Sequence, residues 1–98
     1  MFSFSDRNIL VTGAGSGIGK ATALMLAEQG AGVIVVDQNQ DTAHKTCEDL
    51  QQSGTRASAV VADISDSEAV DKMYASTLEN YQTLDGVVHC AGIGIERS

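Results

Sequence analysis

Thr12-Gly13-Ala14-Gly15-Ser16-Gly17-Ile18-Gly19 follows the apolar run Asn8-Ile9-Leu10-Val11 and leads into Lys20 to Glu28, whose pattern is helical. A strand that breaks into glycines and re-enters a helix is suited to bring backbone close to a phosphate. Glycine takes positive φ without steric cost and leaves no Cβ between chain and ligand. The helix behind it offers unpaired N–H groups and the positive end of its dipole. A glycine-rich stretch alone also suits a tight turn, so the spacing of the glycines has to decide.

A Walker loop needs G-x-x-x-x-G-K-[ST]; Gly19-Lys20 supply the G-K, but Ala14 and Ala21 break the pattern at both ends. The G-x-G-x-x-G fingerprint fails as well, because its third glycine falls on Ile18 or on Lys20. T-G-x-x-x-G-x-G fits, with Gly13, Gly17 and Gly19. This loop resembles the cofactor loop of the short-chain dehydrogenase/reductase family.

The segments downstream extend the pattern. A helix with the apolar stripe Ile18, Ala21, Thr22, Leu24, Met25 and Ala27 ends at Gly30, where a left-handed residue is wanted. Val33-Ile34-Val35-Val36 is an unbroken β-branched run, the mark of a parallel strand covered on both faces, and it stops at Asp37. An acid roughly 20 to 25 residues past a glycine loop is placed to accept hydrogen bonds from ribose hydroxyls, although strand ends also carry solvated acids. Ala59-Val60-Val61-Ala62 reads as a third strand ending in Asp63-Ile64, and Ser65-Asp66-Ser67-Glu68 has the capping-box spacing that starts a helix. Leu84 to Cys90 reads as a fourth strand.

The coarse map is strand 7–12, helix 17–29, strand 32–37, helix 41–52, strand 56–62, helix 66–80 and strand 84–90. Alternation of this kind predicts an α/β, Rossmann-like parallel sheet with helices on both faces. Right-handed crossovers that reverse after the third strand give the order 3-2-1-4. The glycine loop, Asp37, Asp63 and Ala91-Gly92 then meet at the carboxyl ends of the strands.

The family resemblance carries site roles with it. It implies that Gly13, Ser16, Gly17, Ile18 and Gly19 cradle a pyrophosphate and that Asp37 holds the adenine ribose. It likewise implies that Asp63 and Ile64 hold the adenine edge, where an ordinary strand-to-helix turn is an equal reading. The family's Asn-Asn-Ala-Gly stands here as His89-Cys90-Ala91-Gly92, so no asparagine role carries over. Cys90, Ala91 and Gly92 are expected to pass the nearer ribose by backbone alone. Asp37, with neutral Ser16 and Gln38 beside the site, predicts NAD over NADP: at about 4 Å each charge of a 2′-phosphate is repelled by about 1 to 4 kcal/mol.

Residues outside the pattern read blandly. His44 and Cys47 lie one helical turn apart, and His89 adjoins Cys90, but two ligands do not make a structural zinc site. Ala43, Cys47 and Leu50 form the inward stripe of their helix, and neither cysteine reads as a nucleophile. Thirteen acids against six Lys and Arg, a formal net charge of −7, argue against nucleic acid or an anionic membrane as partner. Two cysteines in 98 residues suit a reducing compartment, and a cytoplasmic location is expected. The start Met1 to Asp6 lacks the features of a signal peptide, no apolar run approaches a membrane span, and there is no proline.

Family members carry out hydride transfer between a nicotinamide cofactor and an alcohol or carbonyl with a Ser and a Tyr-x-x-x-Lys. Tyr74 is followed four residues on by Leu78 and Tyr81 by Asp85, so no catalytic residue is assigned in this sequence. The chain is therefore expected to be the N-terminal, cofactor-binding part of one such domain, incomplete after Ser98 and forming a homo-oligomer when complete. The competing expectation is a non-catalytic dinucleotide-binding module, a sensor or partner subunit, that ends at Ser98.

Overall fold

Ile9-Leu10-Val11 and Val33-Ile34-Val35-Val36 have no polar side to turn toward water, so both must be covered above and below. In a computed structural model of the protein, which describes residues 6–15, 17–81 and 83–90, both are central strands. The element order is β1 (Asn8–Thr12), α1 (Gly17–Glu28), β2 (Gly32–Asp37), α2 (Gln40–Gln52), β3 (Ala57–Val61), α3 (Ser67–Tyr81) and β4 (Gly86–His89). The strands form one parallel sheet in the order β3-β2-β1-β4, as the sequence predicts.

The alternation of side chains divides the core into two layers. Ile9, Val11, Val33 and Val35 point to one face and pack with Ala23 of α1 and Ala43, Cys47 and Leu50 of α2. Leu10, Ile34 and Val36 point to the other and pack with Met73, Val70 and Tyr74 of α3. The topology produces this split. Two crossovers in one direction put α1 and α2 on one face; the reversed crossover from β3 to β4, with the same right hand, puts α3 on the other.

Two local expectations need correction. The inward side of α1 is Gly19 and Ala23, with Leu26 and Ala27 packed behind them, while Ile18, Leu24 and Met25 of the predicted stripe are exposed. Ala27 of the predicted stripe packs inward as expected, but Gly19, Ala23 and Leu26 each follow an expected position, a displacement of one residue or about 100° around the helix. The cause is the close approach at Gly19: a Cβ there would fall on the carbonyl oxygen of Gly13 and 3.1 Å from Ala14 Cα. Further along, α3 is capped by Asp66, whose Oδ1 accepts from Glu68 N at 3.0 Å and Ala69 N at 3.5 Å. Ser65 instead donates its hydroxyl to Asp63 Oδ1 at 2.7 Å, so the Ser65–Glu68 capping box does not form.

The helix ends behave as the sequence indicates. Gly30 has φ +95°, and the N–H of Ala31 returns to Leu26 O at 3.2 Å, closing α1 in a left-handed cap. At the opposite edge of the sheet from the glycine loop, the side chain of Asn8 is a polar knot. It accepts from Arg56 Nη1 at 2.9 Å and donates to Thr83 O at 3.2 Å, while its backbone N–H reaches Asp85 Oδ2 at 2.8 Å.

Ile34 is fully buried in the layer beneath α3. Ile34→Ala is expected to cost about 2 to 5 kcal/mol, read as a lower urea midpoint with an unchanged slope. A loss below about 0.5 kcal/mol, the size of a surface substitution, would remove Ile34 from the core.

Candidate functional site

All four strands run parallel, so their carboxyl ends share one edge. Across it Thr12 pairs with Val36 on one side and His89 on the other, and Asp37 pairs with Val61. The backbone ladder continues one step past the strands: Ala14 N donates to Val36 O, Ala62 N to Asp37 O and Cys90 N to Thr12 O, each at 3.1 Å. Four segments are thus locked side by side over about 14 Å, three strand spacings. In spatial order they are Asp63-Ile64, Asp37, the glycine loop with the start of α1, and Cys90.

The glycine loop turns in the left-handed region at Gly13, φ +70°, and again at Gly17, φ +59°. These turns bring the first amides of α1 to the edge. Those amides have no partner within their own helix. α2 carries Asp41 and α3 carries Glu68 in the first turn, whereas α1 carries no acid there. The positive end of α1 is therefore not offset by a carboxylate of its own first turn. Lys20 does not reach back to it, since its ammonium pairs with Asp49 Oδ2 at 3.3 Å. The ammonium groups of Lys45 and Lys20 hold the Asp49 carboxyl below the usual carboxylate range.

Asp37 lies at the next strand end, partly exposed, with each carboxylate oxygen fixed by one backbone donor. Gly15 N donates to Oδ2 at 3.0 Å and Asn39 N donates to Oδ1 at 3.0 Å. A carboxylate has about four acceptor positions, so among the described residues a second one on each oxygen is left without a donor. A vicinal diol has two hydroxyl donors at matching spacing.

At the third strand end, the hydroxyl and then the N–H of Ser65 hold the exposed Asp63 carboxyl below its ordinary range. Ile64 is partly buried against the layer beneath α3. At the fourth, Cys90 is buried in the layer beneath α1, its thiol 3.9 Å from Thr22 Oγ1. His89 is exposed, with Nδ1 3.3 Å from the hydroxyl of buried Thr12. Gly13, Gly17, Ile18, Gly19, Asp37, Asp63, Ile64 and Cys90 are thus brought to one edge; Ser16, Ala91 and Gly92 lie outside the described residues. Residues 13–16, 38–39 and 62–66 contain no Lys or Arg.

The remaining chemistry is structural. Tyr81 donates its phenol to Ser58 Oγ at 2.7 Å, and Tyr74 packs in the core. Burial, and then the charge of Glu48, push the Cys47 thiol up, so it stays protonated at neutral pH. A groove of about 390 Å³ runs between α2 and the first half of β3, lined by His44, Cys47, Glu48, Gln51, Ala57, Ser58 and Ala59. It lies toward the amino end of its strand, away from the edge that gathers the loop and the acids. No three His, Cys, Asp or Glu among the described residues cluster as a metal site, and no described helix is long and apolar enough to cross a membrane. Sequence reasoning misses the threonines of α2: buried Thr46 donates to Gly15 O at 3.4 Å, and Thr42 lies against the same glycine.

Residues 7–98 match the short chain dehydrogenase family. A short chain dehydrogenase/reductase of Aspergillus oryzae, astE, is 41% identical over 93 residues, which are 94% of this chain and 36% of that protein. Among solved structures, a hydroxysteroid dehydrogenase from Escherichia coli superposes with a TM-score of 0.86 at 31% identity, over 89% of this chain and 37% of its own. A short chain dehydrogenase/reductase from Burkholderia phymatum, solved in complex with NAD, superposes with a TM-score of 0.84 at 28% identity, over 89% of this chain and 31% of its own. The chain spans about a third of the length of these proteins.

The approach of Gly19 to Gly13 sets the seat of α1. Gly19→Ala is expected to cost about 1 to 3 kcal/mol by overpacking, measured by urea denaturation. An unchanged midpoint would mean that α1 can withdraw from the loop freely.

Proposed function

The chain belongs to the short-chain dehydrogenase family, and on that premise we propose that it is the NAD-binding part of an oxidoreductase acting on an alcohol or carbonyl. The observation that carries the reading is Asp37. It stands one strand from a helix whose first turn carries no acid, with one acceptor position on each oxygen left without a donor among the described residues and no Lys or Arg in the adjoining turns.

The order of the four strand ends matches the order of the parts of a dinucleotide. Asp63 and the backbone at Ile64 meet the adenine edge, and Asp37 accepts both hydroxyls of the adenosine ribose. Amides of Gly13, Ser16, Gly17, Ile18 and Gly19 surround the pyrophosphate, where the dipole of α1 favours negative charge. Cys90, Ala91 and Gly92 pass the second ribose by backbone, a role that tolerates His and Cys in place of the family's asparagines. When bound, the nicotinamide supplies or accepts the hydride. The strand-end residues of this chain bind and orient it, while Tyr74 and Tyr81 pack against the core.

Residues 1–98 accordingly form the N-terminal part of one dinucleotide-binding domain, and turnover needs the family's Ser and Tyr-x-x-x-Lys from outside this sequence. Two free, buried cysteines suit a reducing compartment such as the cytoplasm. A 2′-phosphate set against Asp37 meets a carboxylate with no Lys or Arg in the adjoining turns to relieve it, which favours NAD.

Titration with both cofactors tests the reading. The chain is expected to hold NAD at least about tenfold more tightly than NADP, and Asp37→Ala to weaken NAD by about tenfold or more, the worth of hydrogen bonds to a charged group. NADP should lose far less and can gain. Equal or tighter NADP binding by the unaltered chain would overturn the assignment.

A further inference from the structure

Gly15 occupies a position that the pattern T-G-x-x-x-G-x-G leaves free, and its φ lies outside the left-handed region adopted by Gly13 and Gly17. Its backbone conformation therefore does not call for glycine. Its surroundings do. A Cβ there would run into Thr42 Oγ1, 2.8 Å from Asp37 Oδ2 and 2.9 Å from Thr42 Cβ. The same residue is bound on both sides of its peptide: its N–H donates to Asp37 Oδ2 at 3.0 Å, and its carbonyl accepts from buried Thr46 at 3.4 Å. α2 thus presses the middle of the loop against the acid, with Thr42 and Thr46 one helical turn apart on the pressing face.

Resting on the NAD reading above, we propose that Gly15 is a specificity-positioning residue: its missing side chain and its amide hold the Asp37 carboxylate in the orientation that accepts the ribose diol. Of the atoms a new Cβ would meet, Thr42 Oγ1 and Asp37 Oδ2 can both turn away about side-chain bonds, but Thr42 Cβ is fixed to the body of α2 and keeps the pressure on the carboxylate whichever way the hydroxyl turns. The carboxylate therefore gives way. Once turned, it loses the Gly15 donor and meets the diol with the wrong edge. Discrimination between ribose and ribose 2′-phosphate is therefore set one residue inside the loop as well as at the acid. Asn39 N anchors the other oxygen and limits how far the group can swing.

The test is a double-mutant cycle read as the ratio of NAD to NADP affinity in the full chain. Gly15→Ala is expected to weaken NAD by about tenfold, the worth of one charge-assisted hydrogen bond, with a much smaller effect on NADP. In an Asp37→Ala background the same substitution should leave the ratio unchanged, because Gly15 acts through that carboxylate. Should Gly15→Ala fail to fold, Gly15→Ala with Thr42→Gly removes the collision with α2 and keeps the one with Asp37. It should fold and still show the reduced ratio. A ratio that stays at the unaltered value, or equal weakening of both cofactors, overturns the proposal while the NAD reading stands. An unaltered chain that does not prefer NAD overturns the reading, and the proposal with it.

Discussion

The contact on which the rest of the structure depends is the approach of Gly19 to the backbone of Gly13, possible because Gly19 carries no side chain. It brings the start of α1 down onto the turn that leaves β1 and so decides which way the helix rolls. Small residues, Gly19 and Ala23, face the sheet; Lys20 is carried round to Asp49 on α2. The amides of the first turn then open onto the edge where β2 ends. An extra methyl group at position 19 would disturb helix rotation, the α1–α2 ion pair and the placement of the first-turn amides together.

The second constraint is topological. A parallel sheet gathers every loop that leaves a strand on one edge and every loop that enters on the other. Here the leaving loops hold the glycines and the acids, while the entering segments hold the knot of Asn8, Arg56 and Asp85. The glycine loop and acids are thus kept about five residues from the anchoring knot on the same strands, so one edge can be held rigid without crowding the other.

Much of this is legible in the sequence because it rests on local rules. Unbroken β-branched runs mark the central strands, Gly30 marks the end of α1, and the glycine spacing with Asp37 marks the edge. What is not legible depends on distance between segments. The face of α1 escapes because periodicity gives weight to bulk, whereas a helix held close to its sheet buries its smallest residues. The cap of α3 is displaced by one residue because Ser65 and Asp66 compete for the same turn, and Ser65 is drawn off by Asp63. The fit of Gly15 against Thr42 and Asp37 joins positions 22 and 27 residues apart, which no short pattern encodes.

The place of β1 in the sheet also has a kinetic meaning. Leu10 faces Ile34, 24 residues away, on one side and Val87, 77 residues away, on the other. Closing the longer loop costs only about 1 kcal/mol more, yet it requires α3 and everything before it to be in place. In a chain emerging from its amino end, β1, β2 and β3 are available to pair before β4, and one flank of β1 lacks its partner until β4 arrives. An open apolar strand invites slipped or foreign pairing, and a slip of one residue would turn every side chain of β4 to the wrong face. The hydrogen bonds of Asn8 to Thr83 and Asp85, just before β4 begins, are satisfied together in only one alignment of that late strand.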